Sequence, residues 1–191
     1  MKKLHLVCGD DDLRPAMKYI QIKNGTVSAT NSHIAIRLPV EDVIKDVDRN
    51  PLITHDEEMY FLGKNWQTSG MYKAAYFKEE GDLVFAAFDK NNNVLGIIRA
   101  LSKEKFASLM YGSGYPDITA VFPNPKDARS PVSEMGIGPK MLLKLSDAFG
   151  GSEDGLKLHF YGESRPVMVT HIEQKGYGLI MPLLVFPDPN I

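Results

Sequence analysis

Residues 136–184 read GIGPKMLLKLSDAFGGSEDGLKLHFYGESRPVMVTHIEQKGYGLIMPLL, and the fold turns on how this stretch divides. Pro139 suits a first helical turn, where its missing N–H costs nothing. Met141, Leu142, Leu145, Ala148 and Phe149 recur at helical spacing and make one apolar face, with Lys140, Lys144 and Asp147 opposite. Gly150-Gly151 supplies a left-handed stop. Leu156 to Phe160 and Val167 to Ile172 follow as short β-type runs, separated by Gly162-Glu163-Ser164. Lys175-Gly176 precedes the last run, Tyr177 to Phe186, where Pro182 marks an edge or a strand end. The stretch therefore predicts a strand, a helix and three strands.

The opening of the chain predicts the same order. Residues 3–8 alternate as a strand. Asp10-Asp11-Asp12 then supplies an N-cap and favourable charge for a helical first turn; a carboxylate metal site is the alternative for these three residues. Leu13, Ala16, Met17 and Ile20 share one helical face, Arg14 and Lys18 lie elsewhere one turn apart, and Pro15 is tolerable in the first turn. Tyr19 to Lys23 and Thr26 to Thr30 flank Asn24-Gly25, a strong hairpin signal, and Asn31-Ser32 turns the chain into His33 to Val40. Residues 3–40 thus predict a second copy of one architectural unit.

Between the copies, residues 41–58 are charged, contain Pro51 and allow a short helix from Glu41 to Val47. Met59 to Leu62, Lys73 to Lys78, Leu83 to Phe88 and Val94 to Ala100 read as strands. Ser102 can cap a short helix carrying Phe106, Leu109 and Met110, which Gly112 to Asp117 breaks. Residues 123–131, with three prolines, read as an extended connection. The expected class is α+β: repeats of strand, helix and three strands, with helices packed on one side of antiparallel sheets. The expected division is 1–122, holding a module at 3–40 and a degenerate β-rich one at 59–122, followed by a third module at 123–191 that can pack with the first as one domain.

At 191 residues, 43% hydrophobic and 24% charged, the chain has the composition of an ordinary globular protein. No apolar run approaches the roughly 20 residues of a membrane helix. The basic pair Lys2-Lys3 precedes an apolar segment too short for a secretory signal and cut by the three aspartates, so the reading is cytoplasmic. The single Cys8 agrees, and its apolar neighbours suit a structural thiol. A net charge of −2 gives no global attraction to nucleic acid but leaves room for a local basic face. The five histidines lack metal-ligand spacing, Gly136-Ile137-Gly138 reads as a turn plus cap rather than a phosphate loop, and no nucleophile elbow occurs. Trp66 suits either a base-stacking role or a buried anchor. No cofactor, no metal and no catalytic residue is expected.

Four stretches, in order, resemble the bacterial DNA sliding clamp, the beta subunit of DNA polymerase III. They are Asp12-Leu13-Arg14-Pro15-Ala16, Ala29-Thr30-Asn31-Ser32-His33-Ile34-Ala35, Gly114-Tyr115-Pro116-Asp117 with Val121-Phe122-Pro123, and Arg165 to Val169 with Tyr177 to Leu183. The last two resemble the family's Tyr-Pro-Asp linker and its Met-Pro-Met-Arg-Leu terminus. Asn-Ser-His-Ile stands where the family has Asp-Gly-His-Arg, Leu-Leu-Val stands for its final Met-Arg-Leu, and the chain is about half as long.

The resemblance implies a DNA-clamp fold in which paired modules close a ring and helices offer Lys and Arg to duplex phosphates, a salt-dependent and sequence-blind contact. Carried over, the DNA-facing residues are Arg14, Lys18, Lys140 and Lys144. The family's groove for short apolar peptides of replication proteins implies Thr30, Ser32, His33 and Ile34 as one wall and Met181, Pro182 and Leu183 as the other. A ring from so short a chain requires a homo-oligomer. The implied function is a non-catalytic processivity or tethering factor in DNA replication. The alternatives are a clamp-fold interaction module that does not encircle DNA, and an enzyme using the Asp10-Asp11-Asp12 cluster with a divalent metal.

Overall fold

Alternation of Ile20, Ile22, Val27, Ala29, Ile34, Ile36 and Leu38 drives one face of a strand meander out of water, and all seven side chains are buried. The structure, a computed structural model, describes residues 2–44, 57–66, 73–80, 82–124, 126–127, 129–132, 134–151 and 155–183. The meander is β1 (Tyr19–Lys23), β2 (Thr26–Thr30) and β3 (Ile34–Pro39). Asn24 and Gly25 close its first hairpin with φ of 50° and 67°, the left-handed pair that a tight two-residue turn requires. Beyond β1 lies β4 (Met59–Leu62), with Ile20 opposite Phe61.

Three strands form a three-stranded antiparallel sheet: β5 (Lys73–Glu79), β6 (Asp82–Phe88) and β7 (Val94–Arg99). Phe85 and Leu83 join the core beside Phe61. Trp66 is completely buried there, stacked on Phe85 with ring centroids 5.3 Å apart, and its indole N–H donates to the Lys2 carbonyl at 3.3 Å. It is therefore an anchor and cannot stack on a base.

After the two-residue β8 (Leu101–Ser102) comes α1 (Lys103–Leu109), where the Ser102 hydroxyl accepts from the Lys105 N–H. The chain then runs through α2 (Pro139–Phe149), β9 (Leu156–His159), β10 (Val167–His171) and β11 (Tyr177–Ile180). The large sheet has the order β8-β4-β1-β2-β3-β11-β10-β9, antiparallel throughout. The joint between the chain's first and last segments is β3 with β11, where Ile34 faces Ile180 and Arg37 faces Tyr177. The first and last segments of the chain thus share one continuous sheet.

Helix α2 packs on this sheet over β3 and β11, with Leu145, Ala148 and Phe149 buried against it. Gly178 permits the approach: a Cβ there would lie 3.2 Å from Leu145 and 3.3 Å from Phe149. The helix ends at Gly150 (φ 131°), whose N–H donates to the Ser146 and Asp147 carbonyls. The shorter α1 covers the opposite face, with Phe106 stacked on Tyr60 at a centroid distance of 3.7 Å.

The opening module departs from expectation at its entrance. Residues 3–8 form no strand; Leu4–Leu6 is a single 3-10 turn packed against α2. The helix expected from Leu13 to Ile20 shrinks to a 3-10 turn at Pro15–Lys18, and Tyr19 and Ile20 enter β1 instead. Asp11 does not cap a helix; its carboxylate accepts from the Leu13 N–H at 2.8 Å and holds a local turn. Leu13, expected on the apolar face, is 89% exposed. Pro15 removes one helical donor, and the β-type pairing of Tyr19 and Ile20 with Leu62 and Phe61 competes for the rest. Val40–Asp42 is a 3-10 turn where a short helix was expected, and residues 45–47 of that helix lie outside the described residues. Strand β11 stops at Ile180; among the described residues Leu183 alone makes a β-bridge further on, with Gly136, and the expected stretch from 184 to Phe186 lies outside them.

Candidate functional site

Two surfaces carry the residues singled out from sequence. The first is the outer face of α2. Burying Leu145, Ala148 and Phe149 turns Lys140 and Lys144 outward, one turn apart, and both are exposed. Neither has a carboxylate within ion-pair distance among the described residues, whereas Asp147 on the same helix is engaged by Lys3 at 3.0 Å.

Arg14 and Lys18 are not part of that face. They flank the Pro15–Lys18 turn, which leans on β1 and, through Ala16, on the cluster around α1. Each has an acidic neighbour: Arg14 Nε lies 3.7 Å from Asp11, and the Lys18 ammonium donates to Asp12. The hydrogen bond and charge of Lys18 hold the Asp12 carboxyl below its ordinary value. Among the described residues, no group of three or more His, Cys, Asp or Glu side chains is arranged to hold a metal ion.

The second surface is where the β2–β3 turn meets the end of β11. Asn31 accepts the N–H groups of His33 and Ile34 at 3.0 and 2.9 Å, while the Thr30 hydroxyl donates to the Ile34 carbonyl at 2.9 Å and accepts from Ser32 N–H. Ser32 sits at φ 74°. This network presents the His33 carbonyl to the Met181 N–H, a 2.8 Å bond that brings together two segments far apart in sequence. Thr30 and Ile34 are buried and build the turn rather than a wall. His33, Met181 (36% exposed) and Leu183 (49% exposed) form the accessible part, with Pro182 between the last two.

Sequence reasoning missed the neighbouring apolar cleft of about 310 Å³ lined by Met135, Ile137 and Phe160. It adjoins Leu183 because Leu183 N–H donates to the Gly136 carbonyl at 2.8 Å. The signal was present in Met135-Gly136-Ile137, which resembles a simple approach to a helix cap.

Among solved structures, the chain is similar to the DNA polymerase sliding clamp from Bacillus subtilis, with a TM-score of 0.58 and 14% identity over 95% of this chain and 60% of that one. The beta subunit from the DNA polymerase of Streptococcus pyogenes gives 0.53, 13%, 96% and 63%. The DNA polymerase III beta subunit from Thermotoga maritima gives 0.55, 6%, 96% and 63%. The chain has the sliding-clamp fold. It spans less than two thirds of the length of these clamps. No protein-family model and no curated protein sequence matches it. Within the sliding-clamp fold seen here, α2 and the His33–Met181 joint sit on one continuous sheet, and no helix among the described residues is long and apolar enough to cross a membrane.

Proposed function

We propose that this chain is a non-catalytic, sliding-clamp-like tether for replication proteins on duplex DNA, acting in the cytoplasm as a homo-oligomer with α2 turned toward the phosphates. In this reading the modules at 3–40 and 123–191 work as one unit through the β3–β11 joint, and the β-rich module at 59–122 flanks them. The observation that carries it is the pair Lys140 and Lys144, exposed one turn apart and uncompensated among the described residues, on the helix packed over β3 and β11. The likeness to clamp structures over 95% of the chain supports the same reading. Arg14 and Lys18 are secondary contributors, since each must leave a carboxylate before it can meet a phosphate.

The deciding experiment is absolute mass in solution, with and without duplex DNA, at low and high salt. The expected result is an oligomer whose DNA complex weakens as salt rises. A strict monomer with no affinity for duplex at low salt overturns the proposal.

A second reading is favoured by the exposed Met181 and Leu183 beside His33. In it, the chain is an interaction module that captures short apolar peptides of replication proteins without encircling DNA. Methionine is suited to such adaptable contacts. Met181→Glu is then expected to abolish capture of an apolar clamp-binding peptide in a pull-down, and unchanged capture removes this reading.

A further inference from the structure

The face of the large sheet opposite α2 carries a polar row that none of the preceding roles uses. Pairing places Gln21, Ser28, Arg37 and Tyr177 side by side across four strands. Arg37 stands between two open clefts. One, of about 400 Å³, is walled by Ser28, Tyr115 and Thr119; the other, of about 650 Å³, by Pro39, Lys175 and Tyr177; Thr26 and Arg37 border both. The guanidinium is held in place by neutral acceptors: Nε donates to Thr26 Oγ1 at 3.3 Å and Nη1 to Thr119 Oγ1 at 3.4 Å. Among the described residues no carboxylate lies within ion-pair distance of Arg37 or Lys175. Lys23, at the far end of the first cleft, is already paired with Glu58 at 3.2 Å. Asp117, on its wall, accepts from the Thr119 N–H at 3.0 Å.

We propose that Arg37 and Lys175 form a docking groove for an extended acidic peptide segment of a partner protein. A guanidinium fixed by two hydroxyls retains its outer edge for a carboxylate, the geometry at which arginine excels. Two clefts sharing one arginine make an elongated site, longer than a single small anion fills. Tyr177 and Pro39 offer apolar contact for the side chains between acidic ones. Nucleic acid fits less well, because among the described residues only Arg37 and Lys175 line the groove as uncompensated cations, too few for a run of phosphates. The groove is separate from α2 and from the Met181 surface, so it stands whether or not the chain holds DNA.

The test is fluorescence polarisation with a labelled peptide of alternating Glu and Ala, against the same peptide with Gln in place of Glu. Saturable, salt-sensitive binding of the Glu peptide alone is expected. Arg37→Gln should weaken it roughly tenfold or more, as loss of a charged hydrogen-bonding partner does, and Lys175→Gln by less. Thr119→Val, an exposed change that only frees the guanidinium, should weaken it several-fold and keeps the test valid if Arg37→Gln unfolds. Lys140→Glu with Lys144→Glu should leave peptide binding unchanged while weakening DNA binding, which separates this groove from the clamp reading. Equal binding of the Gln peptide, no saturable binding, indifference to Arg37→Gln in a folded protein, or full displacement by inorganic phosphate overturns the proposal.

Discussion

Glu58 shows how one carboxylate can tie two strands and a helix together. It accepts from Gln21 at 3.2 Å and from the Tyr60 hydroxyl, and lies 3.2 Å from Lys23 and 3.6 Å from Lys103. Burial pushes its carboxyl up, but the Tyr60 and Lys23 hydrogen bonds and the charges of Lys23 and Lys103 together bring it below the ordinary 4.5. A lowered carboxyl stabilises the fold fully above its unfolded value and loses that contribution as pH falls through the folded one. Glu58→Gln should therefore cost about 1–3 kcal/mol at neutral pH in denaturant melts, with the gap to wild type closing on acidification. An equal stability of the two proteins at neutral pH would show that these bonds contribute nothing. Cys8 is half-buried against the main core, and burial of its sulfur pushes the thiol up to about 12. A thiol reagent should label it slowly in the native protein and rapidly in denaturant, since only the thiolate reacts; fast native labelling would contradict the burial.

At the scale of elements, α2 was readable because five apolar residues repeat at helical spacing between Pro139 and Gly150 with nothing to oppose them. Leu145→Ala should lower stability by about 2–5 kcal/mol, because the side chain is fully buried over Gly178 and little can close the gap; a loss under about 1 kcal/mol would mean that the helix is loosely seated. The same spacing misled at Leu13, Ala16, Met17 and Ile20. There Pro15 and the carboxylate of Asp11 favour a turn, and Ile20 finds a better partner in Phe61. Hairpin β1–β2 was legible from Asn24-Gly25, since few residue pairs accept two positive φ values. The character of β7 was legible as a strand but not as an edge: Val94, Leu95 and Ile97 are exposed along it. Such an edge invites pairing with another chain. Ile97→Lys should leave the melting temperature nearly unchanged while lowering concentration-dependent association in sedimentation, and undiminished association would place the contact elsewhere.

For the molecule as a whole, the two three-strand runs could be anticipated from local alternation and turns, whereas the candidate site depends on which distant segments meet. Alternation and turns near His33 do not announce that its carbonyl will receive the Met181 N–H, which only the resemblance set beside it, and nothing in the β-type alternation of Ile34 to Pro39 marks Arg37 as the border of two clefts. Charge was legible residue by residue, but its cancellation was not: Arg14 and Lys18 look like Lys140 and Lys144 until Asp11 and Asp12 are seen beside them. The proposed DNA contact belongs to this scale. Replacing Lys140 and Lys144 by Glu should reduce the slope of log affinity against log salt by about one for each lysine, measured on duplex DNA. An unchanged slope would move the contact off α2.

The β3–β11 joint also governs the order in which the protein can be made. A ribosome releases β3 long before it has translated Tyr177 to Ile180, so the β3 side of this joint stays unpaired until those residues are made. Domains whose pairings span such distances fold slowly, and their waiting strands are exposed to neighbours on the same polysome. Nascent chains halted short of residue 177 should accordingly depend on holding chaperones, and protease resistance should arrive abruptly once β11 emerges.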